Sequence, residues 1–151
     1  MRLQGSIDIA APATDVWGLL VDPVSLAACV PGASDVRQID ERTFEGRIRT
    51  SVGPIDGDFS FRSVLTSADF PAGLVVDVEG TDSVTKSQVS AHVEASVDEA
   101  DPARTTLRYA ASVTTRGRLA IIGEMVLRAA AGAMVNQVAR CLRSHLEAPA
   151  R

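Results

Sequence analysis

From Arg2 to Ile9 the chain alternates, with Leu3, Gly5, Ile7 and Ile9 on one side and Arg2, Gln4, Ser6 and Asp8 on the other. That two-residue period predicts a half-buried strand. Pro12 then pre-sets the first turn of a helix running to Leu20, whose apolar face holds Val16, Trp17, Leu19 and Leu20. A second short helix follows at once in DPVSLAACVPGA (22 to 33). Asp22 suits its cap and Pro23 its first turn, Val24 to Val30 continue it, and Pro31-Gly32 ends it. A helix this short does not hold itself up in water, so it must dock against something larger.

Between Ala33 and Arg118 the period returns to two, punctuated at Asp40-Glu41, Gly53-Pro54, Pro71-Ala72-Gly73, Gly80-Thr81-Asp82 and Asp101-Pro102. Six further strands fit between these signals. Phe44, Ile48 and Val52 oppose Glu45, Arg47, Arg49 and Ser51; Phe59 and Phe61 oppose Asp58, Ser60 and Arg62. Val89, Ala91, Val93, Ala95 and Val97 oppose Gln88, Ser90, His92, Glu94 and Ser96, and Leu107, Tyr109, Ala111 and Val113 oppose Arg108, Ser112 and Arg116. One sheet face is therefore apolar and the other wet.

Leu119 to Glu147 reads as one helix of about 29 residues, roughly 43 Å long. At 100° per residue, Gly123, Leu127, Ala130, Met134, Val138, Cys141 and Leu142 form an apolar stripe opposed by Arg140, Arg143 and Glu147. A second stripe of Ile122, Val126, Ala129 and Ala133 flanks it in the first half, broken only by Glu124 and Arg128. That half is either buried on two sides or turned toward a partner, a ligand or a membrane surface. The order strand, helix, helix, six strands, long helix predicts an α+β helix-grip domain. A curved antiparallel sheet of seven strands wraps a long C-terminal helix, and the two short helices brace one end. We expect a single domain over residues 1–147, with 148–151 as a tail.

Composition sharpens this picture. Hydrophobic residues make up 46% of the 151 and aromatics only 4%, so the interior is built of Val, Ala, Leu and Ile, which carry less area per residue than rings. The formal charge of -4 gives no reason to expect nucleic-acid binding, which needs clustered Lys and Arg. The opening MRLQGSIDIAAP lacks the apolar stretch of a signal peptide, and no charge-free run is long enough for a membrane span. These features lead us to expect a cytoplasmic protein. Cys29 and Cys141 sit far apart in apolar stretches, and in that compartment the expectation is two buried free thiols.

Three ordered segments carry a family resemblance. LVDPVSLAACVPGA (20 to 33), SVGPIDGDFSF (51 to 61) and GRLAIIGEMVL (117 to 127) resemble the carbon monoxide dehydrogenase G-subunit family of the START-like, polyketide cyclase and lipid-transport superfamily. The matching positions are Asp22, Pro23, Leu26, Pro31 and Gly32; Gly53, Pro54 and Phe59; and Gly117, Leu119, Ala120 and Gly123. The likeness spans essentially the whole chain. It departs from the family at EGTDSVTKSQVSAHVE (79 to 94), which keeps only Gly80 of a glycine-rich stretch, and at VARCLRSHL (138 to 146), where many relatives carry an aromatic pair. The resemblance implies a non-catalytic accessory protein of a molybdenum hydroxylase. Such a protein has an apolar cavity, a lipophilic ligand such as a quinone or lipid, and a part in membrane recruitment or electron-acceptor delivery. Any membrane contact is then peripheral.

Candidate chemistry is sparse. His92 falls on a wet strand face, His145 lies near the end of the long helix, and neither has a Cys or Ser at triad spacing. Asp56 and Asp58 share an exposed strand face; Arg47, Arg49, Arg116 and Arg118 read as solvated charges or as an attraction for anionic lipid. No catalytic residue, metal ligand or resident cofactor is assigned. Small residues at 123 and 130 to 133 facing a Val/Ala sheet leave either very close packing or empty space, and a curved sheet favours the space. The expected lining is Leu26, Val30, Phe44, Phe59, Phe61, Val76, Tyr109, Leu127 and Met134, with Tyr109 as the polar handle. The expected partners are a lipophilic small molecule, molybdenum hydroxylase subunits and the membrane surface. Two rivals stand beside this reading. One is a cyclase- or hydrolase-like enzyme on the same fold, using Tyr109 and a carboxylate. The other is an assembly factor with a filled core that presents Ile122, Val126 and Ala129 to a protein.

Overall fold

A computed structural model describes residues 1–147 of the chain. Strand β1 (Arg2–Ile9) leads into helices α1 (Ala13–Leu20) and α2 (Pro23–Ala27). Six strands follow: β2 (Ala33–Gln38), β3 (Thr43–Val52), β4 (Ile55–Asp69), β5 (Gly73–Asp82), β6 (Gln88–Asp101) and β7 (Arg104–Arg116). They form one antiparallel sheet in the order β1-β7-β6-β5-β4-β3-β2. Helices α3 (Arg118–Ile121) and α4 (Glu124–Leu146) complete the domain. The helix-grip fold expected from the pattern is present; the expected tail, residues 148–151, lies outside the described residues.

Register places the apolar half of every strand on one face. Reading across the sheet, Gly5 faces Tyr109, Tyr109 faces Ala95 and Ala95 faces Leu74. Further along, Val76 pairs with Val93 and with Leu65, and Phe61 pairs with Gly80 and with Gly46. Opposite partners share a face because side chains alternate along each strand. The charged outer positions pair with one another: Arg47 meets Asp58 at 2.8 Å and Arg62 meets Glu45 at 2.7 Å.

Helix α4 lies along the edge strand β1 and supplies partners for its open backbone groups. Arg128 donates to the Arg2 carbonyl at 2.9 Å, Arg143 donates to the Asp8 carbonyl at 3.0 Å, and Glu147 accepts from the Ala10 amide at 2.9 Å. Covering an edge in this way removes a template for unwanted pairing. Where α4 begins, Val126 and the preceding Ile122 approach Gly53 in the β3–β4 turn. The sheet therefore curls far enough for β1 and the β3–β4 hairpin to meet the same helix.

The main hydrophobic core cluster lies at one end. Ile7, Ile9, Ala11, Ala13, Val16, Val97, Leu107, Ala139 and Leu142 are buried there, beneath α1, which packs on β6 and β7. Trp17 of α1 closes that end against Phe70 in the β4–β5 turn, edge to face with centroids 5.5 Å apart.

Four expectations need correction. The single helix over Leu119–Glu147 is two helices, because Gly123 turns out of helical geometry at φ +101° and becomes the cap of α4. The helix over Val24–Val30 ends at Ala27, where Cys29 and Val30 bond the carbonyls three residues back and tighten the chain into turns. The turn placed at Gly80-Thr81-Asp82 comes later, since β5 continues to Asp82, whose carboxylate accepts from the Thr85 amide at 2.8 Å and organises the following residues. The two cysteines are not free. Cys29, just beyond α2, and Cys141 of α4 have Cα atoms 5.3 Å apart and are joined as a disulfide. A separation of 112 residues conceals a proximity that only the placing of the segment after α2 beside α4 creates.

The two helix-related glycines offer a paired test. Gly123→Ala should destabilise the protein by about 1–3 kcal/mol, since its φ/ψ region is nearly exclusive to glycine, although an added Cβ there meets nothing within 4 Å. Gly132→Ala lies inside α4 with equal room and should stabilise by about 0.5–1 kcal/mol. Urea unfolding of both variants checks the opposite signs.

Candidate functional site

Between the closed end and the α3–α4 junction, the concave face is not sealed. Val76, Val78, Ala91, Val93, Ala111 and Phe61 point inward by register, yet all are only half-buried. On α4 the facing positions Leu127, Ala130, Met134 and Val138 are half-buried too. A fully interdigitated interior would bury such side chains completely. The result is an apolar groove floored by sheet and roofed by one helix.

Side-chain packing keeps the floor low. A Cβ on Gly5 would lie 2.6 Å from the Tyr109 hydroxyl, so that ring reclines across β1 instead of rising toward α4. A Cβ on Gly46 would lie 2.8 Å from the Phe61 ring, which reclines across β3. Phe59 likewise lies over Gly57 two residues earlier on its own strand. Each glycine leaves a bare patch that a ring covers.

The expected lining residues sort into three groups. Phe44, Phe61, Val76 and Tyr109 lie on the concave face and are half-buried, with Leu127 and Met134 half-buried on α4. Phe59 shares that face but is closed over, at 7% exposure. Leu26 packs against the core cluster and so belongs to the brace at the closed end, while Val30 sits half-buried in the turn before β2. Tyr109 also touches that cluster, which places its hydroxyl at the boundary between core and groove.

Two concave polar groups are absent from the expected lining. Ser63 is buried on the same face, between its register partners Phe44 and Val78. Its signal is present in the sequence, because Phe59, Phe61, Ser63 and Leu65 are spaced by two. Asp82, opposite Phe59, is fully buried. Its carboxylate accepts from the Thr85 hydroxyl and amide and from the Asp58 amide. Those hydrogen bonds, the Thr85 hydroxyl first, hold its pKa down at about 2. Asp82 is thereby a structural anion that fixes the β5–β6 turn.

The remaining candidates lie elsewhere. His92 is exposed on the outer face, 2.6 Å from Asp77 and 3.4 Å from Glu94. The hydrogen bond to Asp77 raises its pKa above the usual histidine value. Asp56 bonds Ser51, while Asp58 takes up Arg47 and Arg49 on the outer surface. A surface hollow of about 480 Å³ is lined by Ser67, Asp69, Glu94, Ser96 and Arg108 and reaches Ala95 and Tyr109; its charged lining differs from that of the groove. A recess of about 300 Å³ opens beside the groove, between Met1, Val113 and Thr115 on the sheet and Ala120 and Leu127 on the helices.

At the end opposite the core, three turns converge. Ser87 of the β5–β6 turn accepts from the Leu119 amide at 3.3 Å, and Gly53 of the β3–β4 turn touches Val126. This tip carries exposed large apolar side chains: Val84 at 80%, Ile121 at 83% and Met125 at 87%. Val126, Ala129 and Ala133 of the second helical stripe also face outward. No helix among the described residues is long and apolar enough to cross a membrane.

Comparison with known proteins agrees with this architecture. The family described as the G subunit of carbon monoxide dehydrogenase (CoxG) matches residues 5–147. A conserved protein from Geobacillus kaustophilus superposes with a TM-score of 0.89 at 21% identity, covering 96% of this chain and 94% of that one. A START superfamily protein from Mycobacterium smegmatis gives 0.72 at 14% identity, covering 97% of each chain. The Zhui aromatase/cyclase from Streptomyces sp. R1128 gives 0.67 at 17% identity, covering 96% and 92%. No curated protein matches the chain. At these identities the structural neighbours show a shared START-like fold.

The buried carboxylate predicts an acid response. Asp82 has a folded pKa of about 2 against an ordinary 3.8, so its contribution is complete above the higher value and is lost as pH falls toward the lower one. Asp82→Asn should therefore be less stable than the parent by about 2 kcal/mol at neutral pH, and the gap should narrow between pH 4 and pH 2. Chemical denaturation across that range measures it.

Proposed function

The chain belongs to the CoxG family, named for the G subunit of carbon monoxide dehydrogenase, and we propose that it works there as a non-catalytic carrier of a lipophilic small molecule. The observation that carries this reading is the half-buried aliphatic groove under α4, with Phe61 and Tyr109 reclining on its floor. Filling such a groove with an apolar guest removes area from water on both surfaces, worth about 25 cal/mol per Å². Tyr109 and Ser63 add two hydroxyls at the floor, suited to a carbonyl or hydroxyl on an otherwise apolar ligand. A quinone has that character, and the family name points to a molybdenum hydroxylase as the partner that would use it.

The tip supports a route for the cargo. Val84, Ile121 and Met125 stand at the unsealed end of the fold, with Lys86, Arg116 and Arg118 in the same segments. Apolar side chains ringed by cations suit a shallow, peripheral contact with an anionic bilayer, where lipophilic molecules are stored. A cyclase-like activity asks for a carboxylate beside Tyr109 inside the groove; Asp82 is committed to its turn, while Asp69 and Glu94 share with Tyr109 the charged surface hollow.

Two experiments test this reading. Native mass spectrometry with a short-chain ubiquinone and with palmitate should show a one-to-one complex with at least one of them, and Met134→Trp, which fills the groove, should weaken it at least tenfold. A wild-type protein that binds neither would overturn the carrier. In co-sedimentation with phosphatidylglycerol vesicles, Ile121→Glu with Met125→Glu should cut bound protein at least tenfold; wild-type protein that stays in the supernatant would remove the membrane from the proposal.

A further inference from the structure

The closed end holds a cluster that the carrier role does not use. Cys29, Cys141 and His145 place their ligand atoms all within 4.8 Å of one another. Cys141 and His145 are four residues apart on α4, hence on one face of the helix, and Cys29 is brought to them from the end of the α2 segment. Two sulfurs and an imidazole from two separate elements are a donor set for a thiophilic d10 cation.

We propose that, when the Cys29–Cys141 disulfide is reduced, these three side chains form a zinc site, with the fourth position left to solvent. In tetrahedral zinc sites, bonds of about 2.3 Å to sulfur and about 2.0 Å to nitrogen put ligand atoms roughly 3.5 Å apart. The present cluster is within reach of that size, and side-chain rotation suffices to part the sulfurs, because the Cα atoms are 5.3 Å apart. Cys29 is buried, Cys141 half-buried and His145 exposed. The cation thus has a path from solvent on the histidine side and a sheltered seat on the sulfur side.

The chemistry balances in two steps. A dithiol reductant passes two electrons and two protons to the disulfide, giving two thiols and its own disulfide. Zinc then displaces the two thiol protons and binds two thiolates and a neutral imidazole, with no change in oxidation state. The metal-free oxidised form and the zinc-bound reduced form are mutually exclusive, and both tie α2 to α4. The brace is consequently fastened under oxidising conditions by a covalent bond and under reducing conditions by a coordinated metal.

The test compares oxidised protein with protein reduced by a phosphine and desalted without oxygen. Zinc competition against a chromogenic chelator should give one tightly held zinc per reduced chain and none per oxidised chain. Cobalt(II) in its place should show tetrahedral visible bands and a thiolate charge-transfer band. His145→Ala, at an exposed position, should fold normally and hold zinc at least tenfold more weakly. If the reduced apo-protein loses structure, added zinc should restore its circular dichroism. Absence of zinc binding by the reduced chain, equal affinity in His145→Ala, or no recovery of structure would each overturn the site.

Discussion

The seam between α4 and β1 sets the geometry of the whole domain. An edge strand carries unpaired amides and carbonyls that must be satisfied or hidden. Here Arg128 and Arg143 reach down to the carbonyls of Arg2 and Asp8, and Glu147 receives the amide of Ala10. These contacts are made by long side chains where the backbones of α4 and β1 run close together. The hairpin contact of Gly53 with Val126 and Ile122 fixes the other side of the helix. Held at both margins, α4 bridges the middle strands and does not settle into them.

From that bridging the groove follows. The floor beneath the helix is made of Val and Ala, with glycine under each reclining ring, and the roof is Leu127, Ala130 and Met134. A chain with 4% aromatic residues has few large groups to spare, and three of its rings, Phe59, Phe61 and Tyr109, are spent lying against the sheet. The space is thus a property of sequence as much as of fold: glycine at 5, 46 and 57 sets ring posture, and alanine at 130 sets roof height.

Much of this is legible from alternation alone. All seven strands and the inward set can be read because a period of two leaves little freedom in which residues share a face. The pattern therefore puts Phe44, Phe61, Val76 and Tyr109 on one sheet surface, and Leu127 and Met134 on one helical stripe, without knowledge of the register that joins them. The departures share a physical origin. Gly123 carries a backbone conformation that hydropathy does not encode, and Leu26 packs on the core cluster because α2 docks at that end. The disulfide depends on a distance, which compartment reasoning does not supply. Asp82 has the composition of a turn residue, and its burial depends on partners from the neighbouring strand as well as from its own turn.

The two ends of the molecule are built for different tasks. At one, α1, the α2 brace and the last turns of α4 enclose Val16, Ile9 and Leu142, with Cys29 and Cys141 as a cross-link. At the other, a largely buried polar cluster of Asp82, Thr85 and Ser87 ties the β5–β6 turn to α3, while large apolar side chains around it face outward. Regions with few buried apolar contacts open more readily than packed cores. Movement in this fold should therefore concentrate where the β3–β4 and β5–β6 turns touch α3, with Gly123 between α3 and α4 as its pivot. The closed end then acts as the anchor against which the tip opens, and a guest under α4 would enter and leave past Leu127 without disturbing the core.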